Sequence, residues 1–246
     1  MHWAEKIADR IIKKNPDKEE YVCAAGISPS GSIHIGNFRD IATSLFVAKA
    51  IEKRGKKARL LFSWDEFDRF RKVPANVKAI DPDNKMEQYI GRPYTSVPNP
   101  FDTEHENYAK YFEDEFMKSI KKFGIEMDYR YQTDMYTSGA YRDDIIEAIQ
   151  KRKEIFDILD SFRTQDAQEG ERDAYFPVSI FCPECHKDMT KITSISEDGT
   201  VAEYECECGH KGTFDFKKDT GCKLAWKIDW PMRWRYEGVD FEPGGK

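Results

Sequence analysis

The chain has 246 residues, 39% of them hydrophobic and 34% charged, and its formal net charge is −6. This hydrophobic content excludes a disordered chain, and the length suffices for one main domain with an insertion. No apolar run approaches the roughly 20 residues that span a membrane, and the amphipathic, partly acidic segment 1–14 does not resemble a signal peptide. We therefore expect a cytoplasmic protein that does not bind a membrane.

The first strong pattern is a strand, a glycine-containing loop and a helix. Residues 21–27 (YVCAAGI) are typical of a buried parallel strand, and apolar residues recur at helical spacing over 34–54. The intervening GISPSGSIHIGN begins at Gly26 and places His34 at the helix start. Glycines and the unpaired N–H groups of a helix start favour bound phosphate, so the pattern predicts a phosphate-binding turn. An ordinary junction with a capping histidine is the alternative.

A second strand over 57–62 (KARLLF) would complete a right-handed βαβ unit. Ligands of such sheets lie beyond the carboxyl ends of the strands, which would bring GISPSG and SWDEFD together. Further along the chain we expect an irregular connection over 73–102 and a helix over 103–123 capped by Thr103. Next we predict a strand near 124–132, a helix to about residue 160 and a polar linker over 165–173. A buried strand over 223–230 would return the chain to the core.

Positive charge is concentrated in residues 49–78, which contain ten Lys or Arg against four Asp or Glu, a local excess of +6. Such a segment could follow a phosphate backbone. It could equally be an ordinary solvated helix end and turn.

Four of the six cysteines form two close pairs, separated by twenty residues. A chain without a secretory signal rarely builds a disulfide framework, and paired thiols are typical of a closed structural zinc site. The predicted ligands are Cys182, Cys185, Cys206 and Cys208. His186 or His210 could replace one thiolate, and a redox dithiol or no metal at all remain alternatives. We expect the other two cysteines, Cys23 and Cys222, in the core.

The sequence His34-Ile35-Gly36-Asn37, with the preceding PSG, resembles the first signature of class I lysyl-tRNA synthetases, where the general class I form is HIGH. SWDEFDRFRKVP, FGIEMDYRYQTDMYTSGAY and KLAWKIDWPMRWRYEGVDFEPGGK resemble the same family, so the resemblance covers essentially the whole chain. It implies an α/β fold: a Rossmann-like parallel sheet with an inserted zinc-ribbon subdomain.

The expected domains follow from the resemblance together with the composition. They are the first half of the catalytic core (1–80), a connective insertion with helices (81–165), a zinc-ribbon insertion (166–217) and a return to the core (218–246).

The resemblance implies activation of lysine by ATP, with Mg²⁺, and transfer of the lysyl group to tRNA(Lys). His34 would contact phosphate oxygens, and Gly36 would let the adenine lie against the backbone. Asn37 can donate a hydrogen bond but cannot carry a proton charge, so its part in catalysis is the open point. The implied ATP-binding residues are Pro29, Ser30, Gly31, His34, Gly36 and Asn37, of which His34 and Asn37 are the catalytic candidates.

For lysine, the resemblance points to Gly26 and Ser28 in the loop and to Trp226 before the DWP segment. Core packing is the alternative role for Trp226. An ammonium group requires anionic or aromatic partners. Further candidates for binding the ammonium group are Asp65, Glu66, Asp229 and Trp230.

The second class I signature, KMSKS-like, does not occur in the chain. We therefore expect a shortened catalytic part that forms lysyl-adenylate poorly by itself, because the loop that holds pyrophosphate in the transition state is missing. The alternatives are a free-standing paralogue, a tRNA- or lysine-binding regulator without turnover, and a small-molecule nucleotidyltransferase.

Overall fold

The computed structural model describes residues 2–244 of the chain. Its nine strands within that range are β1 (Glu20–Ile27), β2 (Lys57–Trp64), β3 (Asp128–Tyr131), β4 (Val178–Ile180), β5 (Thr190–Ile195), β6 (Val201–Cys206), β7 (Lys211–Asp215), β8 (Cys222–Leu224) and β9 (Val239–Phe241).

Nine α-helices are described over the same range, with short 3₁₀ turns over Lys85–Tyr89 and Tyr94–Ser96. The helices are α1 (Trp3–Lys14), α2 (Ile35–Glu52), α3 (Ala75–Lys78), α4 (Tyr108–Lys122), α5 (Gln132–Thr137), α6 (Arg142–Gln150), α7 (Arg152–Asp160), α8 (Glu171–Ala174) and α9 (Trp226–Glu237). No helix in this part of the chain has both the length and the hydropathy needed to cross a membrane.

A four-stranded parallel sheet, in the order β3-β2-β1-β9, is the centre of the molecule. β1 and β2 pair in register from Glu20 with Lys57 to Ile27 with Trp64, so both strands end at the same edge. The predicted strand–helix–strand unit is thereby confirmed, and the loops after β1 and β2 lie side by side.

Helices cover both faces of this sheet. On one face the strands pack with α1, α2 and the end of α4, and buried side chains such as Tyr21, Phe62 and Trp64 form that core. On the other face Val22 and Leu61 pack against Trp234 of α9. β1 alternates between the two cores and is buried at every residue except Glu20 and Gly26, as expected for a central parallel strand.

A second layer extends from this core through the chain between β4 and β8. These two strands pair antiparallel and enclose residues 181–221, here called the four-cysteine subdomain. Within it β5, β6 and β7 form an antiparallel sheet. Its apolar residues, including Ala202 and Phe214, belong to the same buried cluster as Ile145 and Ile149 of α6, so the subdomain is packed onto the helices.

The prediction of a helix from residue 103 was wrong at its start. The helix α4 begins after Asn107, whose Oδ1 accepts a hydrogen bond from the Lys110 N–H at 3.0 Å. Ahead of it, the Asp102 carboxylate accepts from the N–H groups of Glu104 and His105. This side-chain turn replaces the first helical turn that Thr103 was expected to cap.

The continuous helix predicted to residue 160 was also wrong, because α6 and α7 are separate and meet at Lys151, whose ψ is 13°. The strand predicted over 223–230 is correct only at its start. β8 ends at Leu224, and α9 then begins at Trp226 with Pro231 inside it. Pro231 removes the hydrogen bond to the carbonyl of Lys227, which is tolerated because Lys227 is exposed to solvent.

Candidate functional site

The loop after β1 is held by contacts at two of its serines, Ser28 and Ser30. The Ser30 N–H donates to the Ser28 carbonyl at 2.7 Å, and the Tyr108 hydroxyl donates to the Ser30 carbonyl at 3.0 Å. Pro29 is buried between them, whereas Ser30 is exposed. Tyr108 lies at the start of α4, so this helix fixes the loop from outside the βαβ unit.

His34 is the N-cap of α2. Its Nδ1 accepts a hydrogen bond from the Gly36 N–H at 3.0 Å, and the Asn37 side chain accepts one from the His34 N–H at 3.4 Å. A Cβ on Gly36 would lie 2.8 Å from the imidazole Cε1, so any larger residue here would displace the ring from this position. Because Nδ1 is an acceptor here, the proton of the neutral ring is on Nε2, which is left free to donate to a ligand.

The loop after β2 brings two buried carboxylates to the same edge. The Asp65 N–H donates to the Ile27 carbonyl at 3.0 Å, which ties the end of β2 to the end of β1. The next residue, Glu66, accepts from the N–H groups of Gln132 and Thr133 at 3.1 and 2.7 Å and thereby caps α5. Burial raises the pKa of Glu66 to about 7, despite these hydrogen bonds.

A buried ion network lies beneath the edge of the sheet. Arg233 donates to Asp65 at 2.6 Å and lies 2.9 Å from Asp229. Lys223 bonds Asp229 at 2.9 Å and Asp68 at 3.0 Å. The network joins the loop after β2, the strand β8 and the helix α9 through three carboxylates and two cations.

Asp229 is the centre of this network and is fully buried. It also accepts a hydrogen bond from the Tyr136 hydroxyl at 2.6 Å. Burial alone would raise its pKa, but the positive charges of Arg233 and Lys223 outweigh burial, and the pKa of Asp229 is lowered. For Asp65, in contrast, burial outweighs the attraction of Arg233, and its pKa is raised.

Four of the predicted lysine-binding residues line two openings. A cleft of about 30 Å³ is lined by Gly26, Asp65 and Trp230, together with Arg233 and Glu242. A larger cavity of about 520 Å³ has the following residues in its wall: Asp68, Arg69, Arg71, Ser179, Phe181, Asp188, Lys223, Leu224, Ala225 and Trp226.

The remaining predicted residues are placed as follows. Ser28 Oγ donates to Asp68 at 3.1 Å, so this loop residue contacts the wall of the larger cavity. Trp226 is 52% exposed, which fits a surface contact better than core packing. Asp229 has its partners within the chain and lines neither opening, and Glu66 is the cap of α5 rather than a cavity residue.

Sequence reasoning missed four residues here: Asp68, Lys223, Arg233 and Glu242. Arg233 belongs to α9, which was not predicted because 223–230 was interpreted as a strand, and Glu242 follows β9, which was not predicted either. The spacing of Asp229 and Arg233, four residues apart, was the signal that could have identified the helical face.

The basic segment 49–78 is largely neutralised within the chain. Lys49 pairs with Glu52 and Lys53 with Glu5, each at 2.9 Å, and Arg54 pairs with Asp9. Those contacts favour the ordinary interpretation for its first part. Its later residues Arg69 and Arg71, however, line the larger cavity.

The four paired cysteines converge in the four-cysteine subdomain. All four sulfur atoms lie within 4.8 Å of one another, with 3.7 Å between Cys182 and Cys208 and 3.6 Å between Cys185 and Cys206. Sulfurs bound to one tetrahedral zinc at about 2.3 Å are about 3.8 Å apart, so the spacing suits that ion. The other two cysteines, Cys23 and Cys222, are buried elsewhere. Neither His186 nor His210 belongs to this group among residues 2–244.

Comparison with known proteins supplies a family. A family model described as tRNA synthetases class I (K) matches residues 1–246. The lysine–tRNA ligases of Treponema pallidum and Pyrococcus horikoshii are 43% and 40% identical over 246 residues, which is 100% of this chain and 45% of each relative. The lysine–tRNA ligase of Streptomyces coelicolor is 39% identical over 275 residues, 99% of this chain and 47% of the relative. The chain thus spans less than half the length of these curated relatives.

Proposed function

Because the chain belongs to the tRNA synthetases class I (K), we propose that it forms the part of a lysine–tRNA ligase in which ATP activates lysine. Activation joins the lysine carboxylate to the α-phosphate and releases pyrophosphate, after which the lysyl group passes to tRNA(Lys). The relatives named above are lysine–tRNA ligases, which supports this substrate assignment. The protein acts in the cytoplasm.

One observation carries the proposal: the loop with His34 and the loop with Asp65 meet at the carboxyl edge of the sheet, next to the cleft at Gly26. This is the edge where ligands of open parallel sheets bind. It combines an exposed helix start, suited to phosphate, with carboxylates and aromatic rings, suited to an ammonium group.

On the ATP side, the Nε2–H of His34 donates to phosphate oxygens while Nδ1 remains bonded to Gly36. Gly36 and Gly31 keep the backbone open to the nucleotide. The Asn37 side chain orients the histidine by accepting a hydrogen bond from the His34 backbone N–H. Pro29 and Ser30 shape the loop. ATP arrives with Mg²⁺, which balances the charge of its phosphates.

The reaction requires no protein nucleophile, because the lysine carboxylate itself attacks the α-phosphate in line. What the protein supplies is position and stabilisation of the charge that develops on the phosphate oxygens. Gly26 and Ser28 place the amino acid at the end of β1, and Trp230 and Asp65 form the cleft beside it. Asp229 acts indirectly, since it holds Arg233 and Lys223 in place.

The larger cavity suits the single-stranded end of tRNA(Lys). Arg69 and Arg71 contribute positive charge for phosphates, and the exposed ring of Trp226 offers a stacking surface for a base. Trp226 lines the same cavity as Asp68, which is the partner of Ser28. The tRNA end and the lysine can therefore approach the same point.

Cys182, Cys185, Cys206 and Cys208 hold a structural zinc ion. Four thiolates leave no position open for a substrate, so the ion stabilises the four-cysteine subdomain and takes no part in the reaction.

Lysine-dependent exchange of pyrophosphate into ATP tests the proposal. It is measured with this chain and with a version extended to the length of the curated relatives, with each amino acid in turn. We expect exchange with lysine only, faster in the extended version, and its loss in His34→Ala. Exchange with another amino acid, or with none in either version, would contradict the lysine assignment.

A further inference from the structure

The cleft at Gly26 can hold a small polar group. Its volume of about 30 Å³ exceeds the roughly 10–15 Å³ that a cavity needs to hold a water molecule, and an ammonium group is of similar size. It opens at the carboxyl edge of the sheet, between β1, α9 and the segment that follows β9. The cleft can therefore receive the charged end of a side chain.

Two of the carboxylates on this cleft already have cations. Asp65 accepts a hydrogen bond from Arg233 at 2.6 Å. Glu237 accepts two from Arg130, at 2.5 and 3.1 Å. Their charges are balanced within the chain.

Glu242 differs from both. Within residues 2–244 no Lys, Arg or His nitrogen lies within 4.0 Å of its carboxylate, and the Gly244 N–H donates to it at 2.6 Å. It directly follows β9, so it is located at the end of the strand adjacent to β1. The nearby Arg233 is bonded to Asp65 and Asp229, so these two carboxylates already neutralise its charge.

An aromatic ring completes the surroundings of Glu242. Trp230 lines the cleft, and a Cβ on Gly244 would lie 3.0 Å from its ring and 2.8 Å from Glu242 Oε2. The chain after β9 therefore folds closely over the ring, with the carboxylate beside it. A cation entering here meets one unneutralised carboxylate and one aromatic face.

We propose that Glu242 is the specificity-determining residue that binds the ε-ammonium of lysine. The inference rests on the proposed function, since it assumes that lysine is the amino acid bound at this edge. It assigns the ammonium to Glu242 rather than to Asp229, which is fully buried and bonded to Tyr136, Lys223 and Arg233.

The first test compares L-lysine with L-2-aminohexanoate, which has the same chain without the ε-amine, by calorimetric titration of this chain. A hydrogen bond to a charged group suggests that the wild type prefers lysine by about 10-fold or more. In Glu242→Gln the preference should fall to about 3-fold or less. Glu52→Gln is the matched variant: it removes a carboxylate outside the cleft that already has a cation, Lys49 at 2.9 Å, and the preference should persist.

The second test needs no substitution. Burial raises the pKa of Glu242 to about 7. The charged groups that face it are Asp40 of α2, Arg233 and Glu237 of α9, and Asp65 after β2. The carboxylate must be ionised to bind an ammonium. The preference for lysine should therefore increase from pH 6 to pH 8 in the wild type and stay constant in Glu242→Gln.

The outcomes distinguish failure of the proposed function from failure of the role assigned to Glu242. A wild type that does not distinguish lysine from 2-aminohexanoate would overturn both the function and the role of Glu242. A wild type that prefers lysine, with a preference that survives in folded Glu242→Gln or is lost equally in folded Glu52→Gln, would overturn the role of Glu242 alone. A wild-type preference that does not change between pH 6 and 8 would also overturn it.

Discussion

His34 and Gly36 act as one unit at the start of α2. The imidazole can lie against the first turn only because position 36 has no side chain, and the resulting hydrogen bond leaves Nε2 as the free donor. The glycine thus sets both the place and the tautomer of the histidine.

Gly36→Ala tests this coupling. The new Cβ would lie 2.8 Å from Cε1, which displaces the ring, and a misplacement of about 1 Å can cost about 10²-fold in rate. We expect lysine-dependent exchange to fall by about that factor with little change in the unfolding midpoint. Ile35→Ala, at a side chain that is 79% exposed, is the matched control and should leave the rate nearly unchanged. Equal rates for both variants and the wild type would contradict the coupling.

Asp229 is expected to matter for stability. Asp229→Ala leaves Arg233 and Lys223 with fewer counter-charges in a buried place, and removing one partner of such a pair costs about 3–5 kcal/mol. Urea unfolding monitored by circular dichroism measures the loss. Asp143→Ala, at an exposed position in the first turn of α6, should cost less than about 1 kcal/mol. A similar cost for both would mean that the network contributes no more than an exposed carboxylate.

At the scale of elements, local patterns predicted β1, α2 and β2 well. Their apolar periodicity and their tertiary packing agree, so the observed ends of these strands and of the helix lie within a few residues of the predicted ends. The loop residues of the site follow from these elements.

Segments that depend on long-range partners were predicted poorly. The KLAWKIDW run is apolar enough for a strand, but Asp229 and Arg233 are buried only as a helical pair whose partners come from residues 65 and 223. No local pattern reveals those partners. The role of Glu242 was missed for the same reason, since its surroundings are built from β1 and α9.

His105 ties the loop before α4 to the helix itself. Its ring nitrogens lie 2.9 Å from Asp102 and 3.2 Å from Asp114, and the hydrogen bonds to Asp114 and Asp102 raise the pKa of His105. The charged ring therefore stabilises the fold below its ordinary pKa of about 6.5, and this contribution is lost as the pH rises through the raised pKa.

We predict that His105→Gln lowers the urea midpoint at pH 5.5 and that its difference from the wild type becomes small at pH 9. The unfolding of both proteins is measured at the two pH values in the same salt. A difference of equal size at both would show that packing, not charge, is the contribution of His105.

The four-cysteine subdomain should bind one zinc ion per chain. Trace-metal analysis of the reduced protein is expected to give about one equivalent, and Cys206→Ser should fall below about half, because one of four ligands is lost. Cys23→Ala, which removes a core thiol outside the cluster, should keep the metal. Less than about half an equivalent in the wild type would contradict the zinc site.

At the scale of the whole molecule, the four-cysteine subdomain is connected to the site by two routes. Its flanking strand β8 carries Lys223, which bonds Asp68 and Asp229. On the other side Arg69, just after Asp68, lies 3.5 Å from Asp188. The parallel sheet supplies the edge where ligands meet, and the subdomain fixes the loop after β2 against it.

The central claim is that this edge of the sheet binds activated lysine. The most direct measurement is calorimetric binding of a non-hydrolysable lysyl-adenylate analogue to this chain, beside the same analogue carrying 2-aminohexanoate. We predict that the lysyl analogue binds more tightly, that ATP and lysine each compete with it, and that His34→Ala weakens it. No binding, or equal affinity for the two analogues, would contradict the account.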